Sequence, residues 1–94
     1  MKKLFVSPAL HSLLPIAVLN ELYSLMSILP ATNKIHYFTL HMSLAGTTIE
    51  HSIPTAGFKY QIIASELTFA EEEIKIVAVD HGNIINMALL CETQ

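Results

Sequence analysis

The spacing of the apolar residues changes once along the chain, near residue 35, and this change limits the fold more than any other feature. Before it, apolar residues recur at helical spacing over residues 15–29, and Pro15 suits the first turn of a helix. The predicted buried face of this helix consists of Ile16, Leu19, Leu22, Tyr23, Met26 and Leu29. After it, apolar and polar residues alternate over residues 35–44, as in a strand with one buried face.

Turn residues divide the rest of the chain into short strands. Gly, Pro, Asp and Asn supply the backbone angles that turns require, and they cluster at residues 45–47, 54–57 and 80–83. The predicted strands are residues 3–7, 35–44, 48–53, 58–64, 74–79 and 84–91, with a loop at residues 7–12. Residues 65–73 fit a solvated loop, a helical turn or an extension of a strand.

Strands joined by tight turns pair antiparallel, and one amphipathic helix can cover one face of the sheet they form. We therefore predict an α+β fold in which one helix packs on a mainly antiparallel sheet of five to six strands, in the order β-α-β-β-β-β-β. The length of 94 residues corresponds to a single domain, residues 1–94.

The last predicted hairpin is apolar on both sides. One side carries Ile74, Ile76, Ala78, Ile85, Met87 and Leu89, and the other carries Val77, Val79, Ile84, Ala88 and Leu90. Such a hairpin is either covered on both faces or meets another subunit. The predicted interaction residues are Val77, Val79, Ile84 and Leu90.

Composition excludes several classes of protein. Apolar residues make up 52% and charged residues 14%, which argues against disorder. The formal net charge of −3 and the absence of arginine argue against a nucleic-acid partner. The apolar residues 4–33 are interrupted by prolines and polar groups, so we expect an amphipathic helix and no membrane insertion. A single cysteine, Cys91, rules out an intramolecular disulfide and fits a cytoplasmic location.

Five histidines raise the question of a metal site. No pair of them has the spacing of common zinc ligands, and His36 and His41 lie five positions apart in a predicted strand, on opposite faces. Cys91 has no base or cation close to it in sequence, and residues 80–83 fit a turn better than a catalytic dyad. We therefore expect no metal, no cofactor and no enzymatic activity.

Three segments of the chain carry a resemblance to known sequences. They are Leu14-Pro15 with the helix that follows, the predicted strand at residues 35–44 with Thr48-Ile49-Glu50-His51-Ser52, and the closing hairpin from Lys75 to Leu90. With these segments the chain resembles a small uncharacterised family first described in staphylococci and related Firmicutes. The resemblance implies the same α+β fold. Because that family has no established activity, the resemblance adds no chemistry.

Two functions fit these features. The first is a small non-enzymatic protein-interaction module or modulator that binds a protein partner or associates with itself. The alternative is a small-molecule-binding domain with a pocket between the helix and the sheet. Its candidate polar groups are Tyr37, His41, Glu50, His51 and Tyr60, together with Tyr23. The alternation of the strands places His51 on the side of Leu40 and directs His41 to the other side.

Overall fold

The architecture was determined from a computed structural model, which describes residues 3–28, 35–43, 46–54, 57–64 and 73–93. The elements are β1 Lys3–Val6, α1 Pro8–Leu13, α2 Ile16–Ile28, β2 Ile35–Ser43, β3 Gly46–Ile53, β4 Phe58–Ala64, β5 Glu73–Asp80 and β6 Ile84–Leu89, followed by a 3-10 turn Leu90–Thr93. The predicted α+β fold is confirmed, with one main helix after the first strand.

The six strands form one mixed sheet in the order β1-β6-β5-β2-β3-β4. Four of the pairings are antiparallel, and β1 pairs with β6 in parallel. The parallel pair follows from the connectivity, because α1 and α2 carry the chain from the β1 edge to β2 in the middle of the sheet. The closing hairpin therefore lies between β1 and β2, inside the sheet.

The hydrophobic core lies between α2 and one face of the sheet. From the helix, Val18, Leu19, Leu22, Leu25 and Met26 are buried. From the strands, the fully buried large side chains in the same cluster include Phe38, Leu40, Ile49, Ile76, Ile85 and Met87.

The buried face of α2 differs from the predicted one, since Ile16 is 71% exposed and Val18 and Leu25 are buried. The helix has apolar residues on several sides, so the spacing alone does not fix which side is buried. Leu29, also predicted for this face, lies outside the described residues.

The predicted loop at residues 7–12 is a helix from Pro8 onward, α1. Ser7 is its N-cap, and its hydroxyl oxygen accepts a hydrogen bond from the Leu10 backbone N–H at 3.2 Å. A Ser-Pro pair starts a loop or a helix equally well, because Pro is also favoured at the first helical position. The helix buries Leu10 completely.

Replacing the N-cap should destabilise the fold measurably. The Ser7 hydroxyl also donates to the Glu92 carboxylate at 2.7 Å, which joins α1 to the end of the chain. We expect Ser7→Ala to lower the free energy of unfolding by about 1 kcal/mol, the usual effect of losing a cap. In Ser12→Ala, the matched control, only an exposed hydroxyl bonded to the Ala9 carbonyl is lost. Urea denaturation should show no change beyond about 0.5 kcal/mol for the control, and equal effects for both variants would contradict the capping role.

Two boundaries differ from the prediction. Ser43 pairs with Gly46, which belongs to the turn predicted at residues 45–47, so β3 begins before its predicted start at residue 48. Residues 44 and 45 lie outside the described residues. Gly46 has φ 124° and opens β3, where its positive φ is accommodated without a side chain. The last strand ends at Leu89, whose backbone N–H donates to the Glu92 carboxylate at 2.9 Å. Of the ambiguous segment, Glu73 begins β5 and residues 65–72 lie outside the described residues.

Candidate functional site

The sheet face that points away from α2, called here the open face, is apolar on one half. Strand register aligns side chains of this face in rows across neighbouring strands. One row consists of Phe5, Asn86, Val79 and Ile35. The next row consists of Ala88, Val77, Tyr37, Ser52 and Lys59. The apolar patch, as defined here, consists of Phe5, Ile35, Tyr37, Val77, Val79, Ile84 and Ala88.

The apolar patch is exposed at its periphery and packed at its centre. Phe5 is 53% exposed and Ile35 is 42% exposed, which is unusual for side chains of this size. Val77, between Ala88 and Tyr37 in its row, is only 8% exposed. The patch therefore extends across β1, β6, β5 and β2 and is interrupted by one polar side chain, the exposed Asn86 between Phe5 and Val79.

The other half of the open face is mostly polar. Its side chains are Thr39, His41, Thr48, Glu50, Ser52, Lys59, Gln61, Glu73 and Lys75, together with the exposed Ile63 on β4. Lys59 lies 3.7 Å from Glu50, and His41 lies 3.8 Å from Glu73. Since all four of these side chains are more than a third exposed, each pair contributes little to stability.

Three of the four predicted interaction residues lie together in the apolar patch. Val77 and Val79 are neighbours on β5, and Ile84 begins the adjacent strand β6. Leu90 is separate, because the chain leaves the sheet there and enters the 3-10 turn. Its side chain instead lines a cleft of about 360 Å³ at the start of β5. The other lining residues of this cleft are Leu13, Glu73, Ile74, Lys75, Leu89 and Cys91.

The five predicted ligand-binding residues do not converge. Tyr37, His41 and Glu50 belong to the open face, whereas His51 and Tyr60 point toward the helices. The predicted orientations of His41 and His51 are confirmed, since His51 is fully buried and His41 is exposed. None of the five lines the cleft beside Leu90.

His51 belongs to a buried polar cluster beneath α2. His36 Nδ1 and His51 Nε2 share a hydrogen bond of 2.8 Å, and His51 Nδ1 lies 3.4 Å from the Tyr60 hydroxyl. The His51 ring also stacks on Phe38, with ring centroids 4.3 Å apart. The alternation of β2 indicates that His36 is buried, because His36, Phe38 and Leu40 share one face. The hydrogen bond from His36 to His51 was not predicted from the sequence.

Burial controls the charge of this cluster. Loss of solvent, and secondarily the neighbouring His36, lowers the pKa of His51 from 6.5 to about 4. Burial, and secondarily the charge of Glu21, raises the pKa of the Tyr60 hydroxyl. At neutral pH, His51 and Tyr60 are therefore uncharged groups held in the core. With both imidazoles shielded from solvent, the cluster offers no access to a substrate.

Over the described ranges, no group of three or more His, Cys, Asp or Glu side chains lies close enough to hold a metal ion. Within those same residues, no helix is long and apolar enough to cross a membrane.

Phe5 and Ile35 are members of the apolar patch that the sequence analysis missed. Phe5 belongs to it because β1 lies next to β6, and Ile35 belongs to it because β2 lies next to β5. Both neighbours are distant in sequence. Alternation within a strand gives the face of a side chain, but only the order of the strands gives its neighbours.

Comparison with known proteins gives a fold and no activity. No family model matches the chain, and no curated protein sequence matches it. Its fold is similar to the crystal structure of a protein of unknown function from Enterococcus faecalis, with a TM-score of 0.76 and 16% sequence identity. The match covers 97% of this chain and 90% of that protein. At this identity the similarity shows a shared fold alone.

Proposed function

We propose that this protein is a small non-enzymatic protein-interaction module and that the open face of its sheet is the contact surface. One observation carries the proposal: the helices cover one face of the sheet, while the other face bears an apolar patch that includes Phe5 at 53% and Ile35 at 42% exposure. Apolar patches of this kind are typical of surfaces that bind another protein.

The chemistry of the described residues supports binding over catalysis. The open face carries weak, exposed ion pairs, and the histidine cluster is closed to solvent. A catalytic site needs a reactive group in contact with a substrate, and the buried histidine cluster does not meet that requirement.

We propose further that the chain belongs to the small Firmicute family it resembles and that it acts in the cytoplasm. The first proposal is supported by the fold shared with a protein from a Firmicute, Enterococcus faecalis. The second is supported by the single cysteine, because exported domains of this size commonly carry disulfides.

Site-specific photo-cross-linking in the native host tests the contact surface. A photoreactive amino acid at Val79, in the apolar patch, should give a covalent protein adduct. The same amino acid at Asn20, exposed on α2 and outside the open face, is the matched control and should give much less adduct. Adducts from both positions in equal yield, or from neither, would overturn the proposal.

A small-molecule site is a second candidate, supported by the cleft of about 360 Å³ beside Leu90. Its volume falls within the range of ligand pockets, its walls include Leu13, Leu89 and Leu90, and Lys75 adds one positive charge. The amphipathic anion anilinonaphthalene sulfonate is a suitable probe. If the cleft binds such ligands, Lys75→Glu should weaken a saturable fluorescence increase, whereas the control Lys59→Glu should leave it unchanged.

A further inference from the structure

We propose that the protein bound to the open face is a second copy of this chain. The two sheets would pack face to face about a two-fold axis that passes close to Val77 and Val79. This inference rests on the proposed function, because it names the partner of the same surface.

The size of the open face is sufficient for a dimer. Six strands spaced about 4.8 Å apart, each about 7 residues long at about 3.3 Å per residue, give a face of roughly 600 Å². Two such faces in contact would bury on the order of 1,200 Å², above the roughly 1,000 Å² that a specific interface needs. Packed sheets lie about 10 Å apart, so side chains from both faces would interdigitate as in a β-sandwich.

The charges of the open face permit contact with an identical surface. The face carries Lys3, Lys59 and Lys75 and two carboxylates, Glu50 and Glu73, which sum to +1 (three minus two). The described carboxylates outside this face are Glu21 on α2, the buried Asp80 at the end of β5 and Glu92 in the 3-10 turn. Two copies that meet through the open face would therefore bring together surfaces of low net charge.

The arrangement of the polar half places it at the rim. Glu50 with Lys59, and His41 with Glu73, are paired within one chain, so they do not require a partner's charges. An interface core is apolar and its rim is polar and wet. This fits a dimer in which the apolar patch forms the core and the paired charges lie at the rim on one side of it.

The location of the two-fold axis follows from the centre of the apolar patch. In a two-fold interface the same surface is used by both copies, so residues near the axis contact their own counterparts. Val77 and Val79 lie on β5, with β6 and β1 on one side and β2 on the other. Uncharged β-branched side chains tolerate such self-contact, whereas a charge there would face an identical charge.

Pairing at a sheet edge is the other way in which two copies could join. The edges are β1, with four residues, and β4, with seven. Edge pairing would leave the apolar patch uncovered on both copies, so it does not account for the exposure of Phe5 and Ile35. Face-to-face packing covers both side chains.

Sedimentation equilibrium of the purified protein tests the inference with three variants. The wild-type chain should have twice the monomer mass of 10.4 kDa. We expect Val79→Lys, which places like charges near the axis, to raise the dimer dissociation constant by at least about 100-fold. Phe5→Lys should act in the same direction, and because Phe5 is 53% exposed this change does not disturb the core.

Ile16→Lys is the matched control. Ile16 is 71% exposed, but it lies on α2 and therefore outside the open face. This variant should remain dimeric, and circular dichroism should show that all four proteins are folded. A monomeric wild-type protein at up to about 100 μM, or a dimer weakened by Ile16→Lys and unaffected by Val79→Lys and Phe5→Lys, would overturn the inference.

Failure of the inference and failure of the proposed function give different results. If the purified chain is monomeric while Val79 cross-links a different protein in cells, the second copy is excluded and the interaction surface stands. If the chain is monomeric and Val79 gives no adduct, both proposals fail.

Discussion

Lowering the pH from about 7 to about 4 should remove about 3 kcal/mol of folding stability through one buried side chain, His51. His51 lies in the core, hydrogen-bonded to His36 at 2.8 Å and stacked on Phe38. Burial first, and His36 second, lowers the pKa of His51 from 6.5 to about 4. A protonated imidazole at this position would be a buried charge next to a second imidazole, and both conditions disfavour the protonated form.

The sign of the effect follows from which state binds the proton. Between pH 6.5 and about 4, the unfolded chain binds a proton at His51 and the folded chain does not. Acid therefore favours unfolding, and the contribution of neutral His51 is full above pH 6.5 and is lost as the pH falls to about 4. The two pKa values differ by about 2.5, which corresponds to about 3 kcal/mol. That is a large share of the roughly 5–15 kcal/mol that stabilises a typical domain.

Urea denaturation at a series of pH values measures this contribution. His51→Gln should flatten the stability profile between pH 6.5 and about 4 relative to the wild-type protein. His41→Gln is the matched control, because the His41 side chain is 55% exposed on the open face, and it should keep the wild-type profile. Carboxylates that also titrate in this range are common to all three proteins. Identical profiles for the wild-type and His51→Gln proteins would exclude the role of His51.

Truncating Phe38 should destabilise the protein by about 3–5 kcal/mol at neutral pH, the usual cost of deleting a buried aromatic ring. Phe38 is 1% exposed at the centre of β2, one of the two central strands of the sheet. Its loss opens a cavity against α2 and removes the surface on which the His51 ring stacks, at 4.3 Å between centroids.

Phe38→Ala and Phe5→Ala form a matched pair for this prediction. Both remove the same atoms from β-strands of one sheet, but Phe5 is 53% exposed on the open face. Phe5→Ala should cost less than about 1 kcal/mol in the unfolding of dilute protein, where association does not contribute. Comparable losses in urea denaturation would mean that Phe38 is not the buried anchor described above.

The strands are predictable from the sequence wherever one buried face produces strict alternation. Phe58–Ala64 has its predicted bounds, and the opposite orientations of His41 and His51 follow from the alternation of β2 and β3. A small error in the position of the turn does not change which side chains share a face, because the observed and predicted registers of β2 and β3 differ by an even number of residues. The sequence therefore predicts that His51 points inward, although it does not predict the hydrogen bond between His51 and His36 on β2.

The parts that the sequence does not predict depend on contacts between distant segments. The Ser7-Pro8 pair is compatible with a loop, and packing of Leu10 into the core favours the helix α1. The parallel pairing of β1 with β6 joins residues that are about eighty positions apart, so no local pattern signals it.

Some residues of the candidate surface can likewise be predicted from the sequence, and others cannot. Val77, Val79 and Ile84 are predictable because a hairpin with two apolar sides has a second face to cover. Phe5 and Ile35 complete the apolar patch only through the order of the strands. Leu90 follows the alternation of β6 in sequence, but the chain turns away from the sheet at that residue.

Fluorine NMR of the chain labelled with fluorotyrosine tests most directly whether two copies meet through the open face. The chain has three tyrosines: Tyr37 in the apolar patch, Tyr60 beside His51 and Tyr23 on α2. Dilution through the dissociation constant should change the Tyr37 signal and leave the other two unchanged. A Tyr37 signal that is independent of concentration, or a change confined to Tyr23 or Tyr60, would contradict the account.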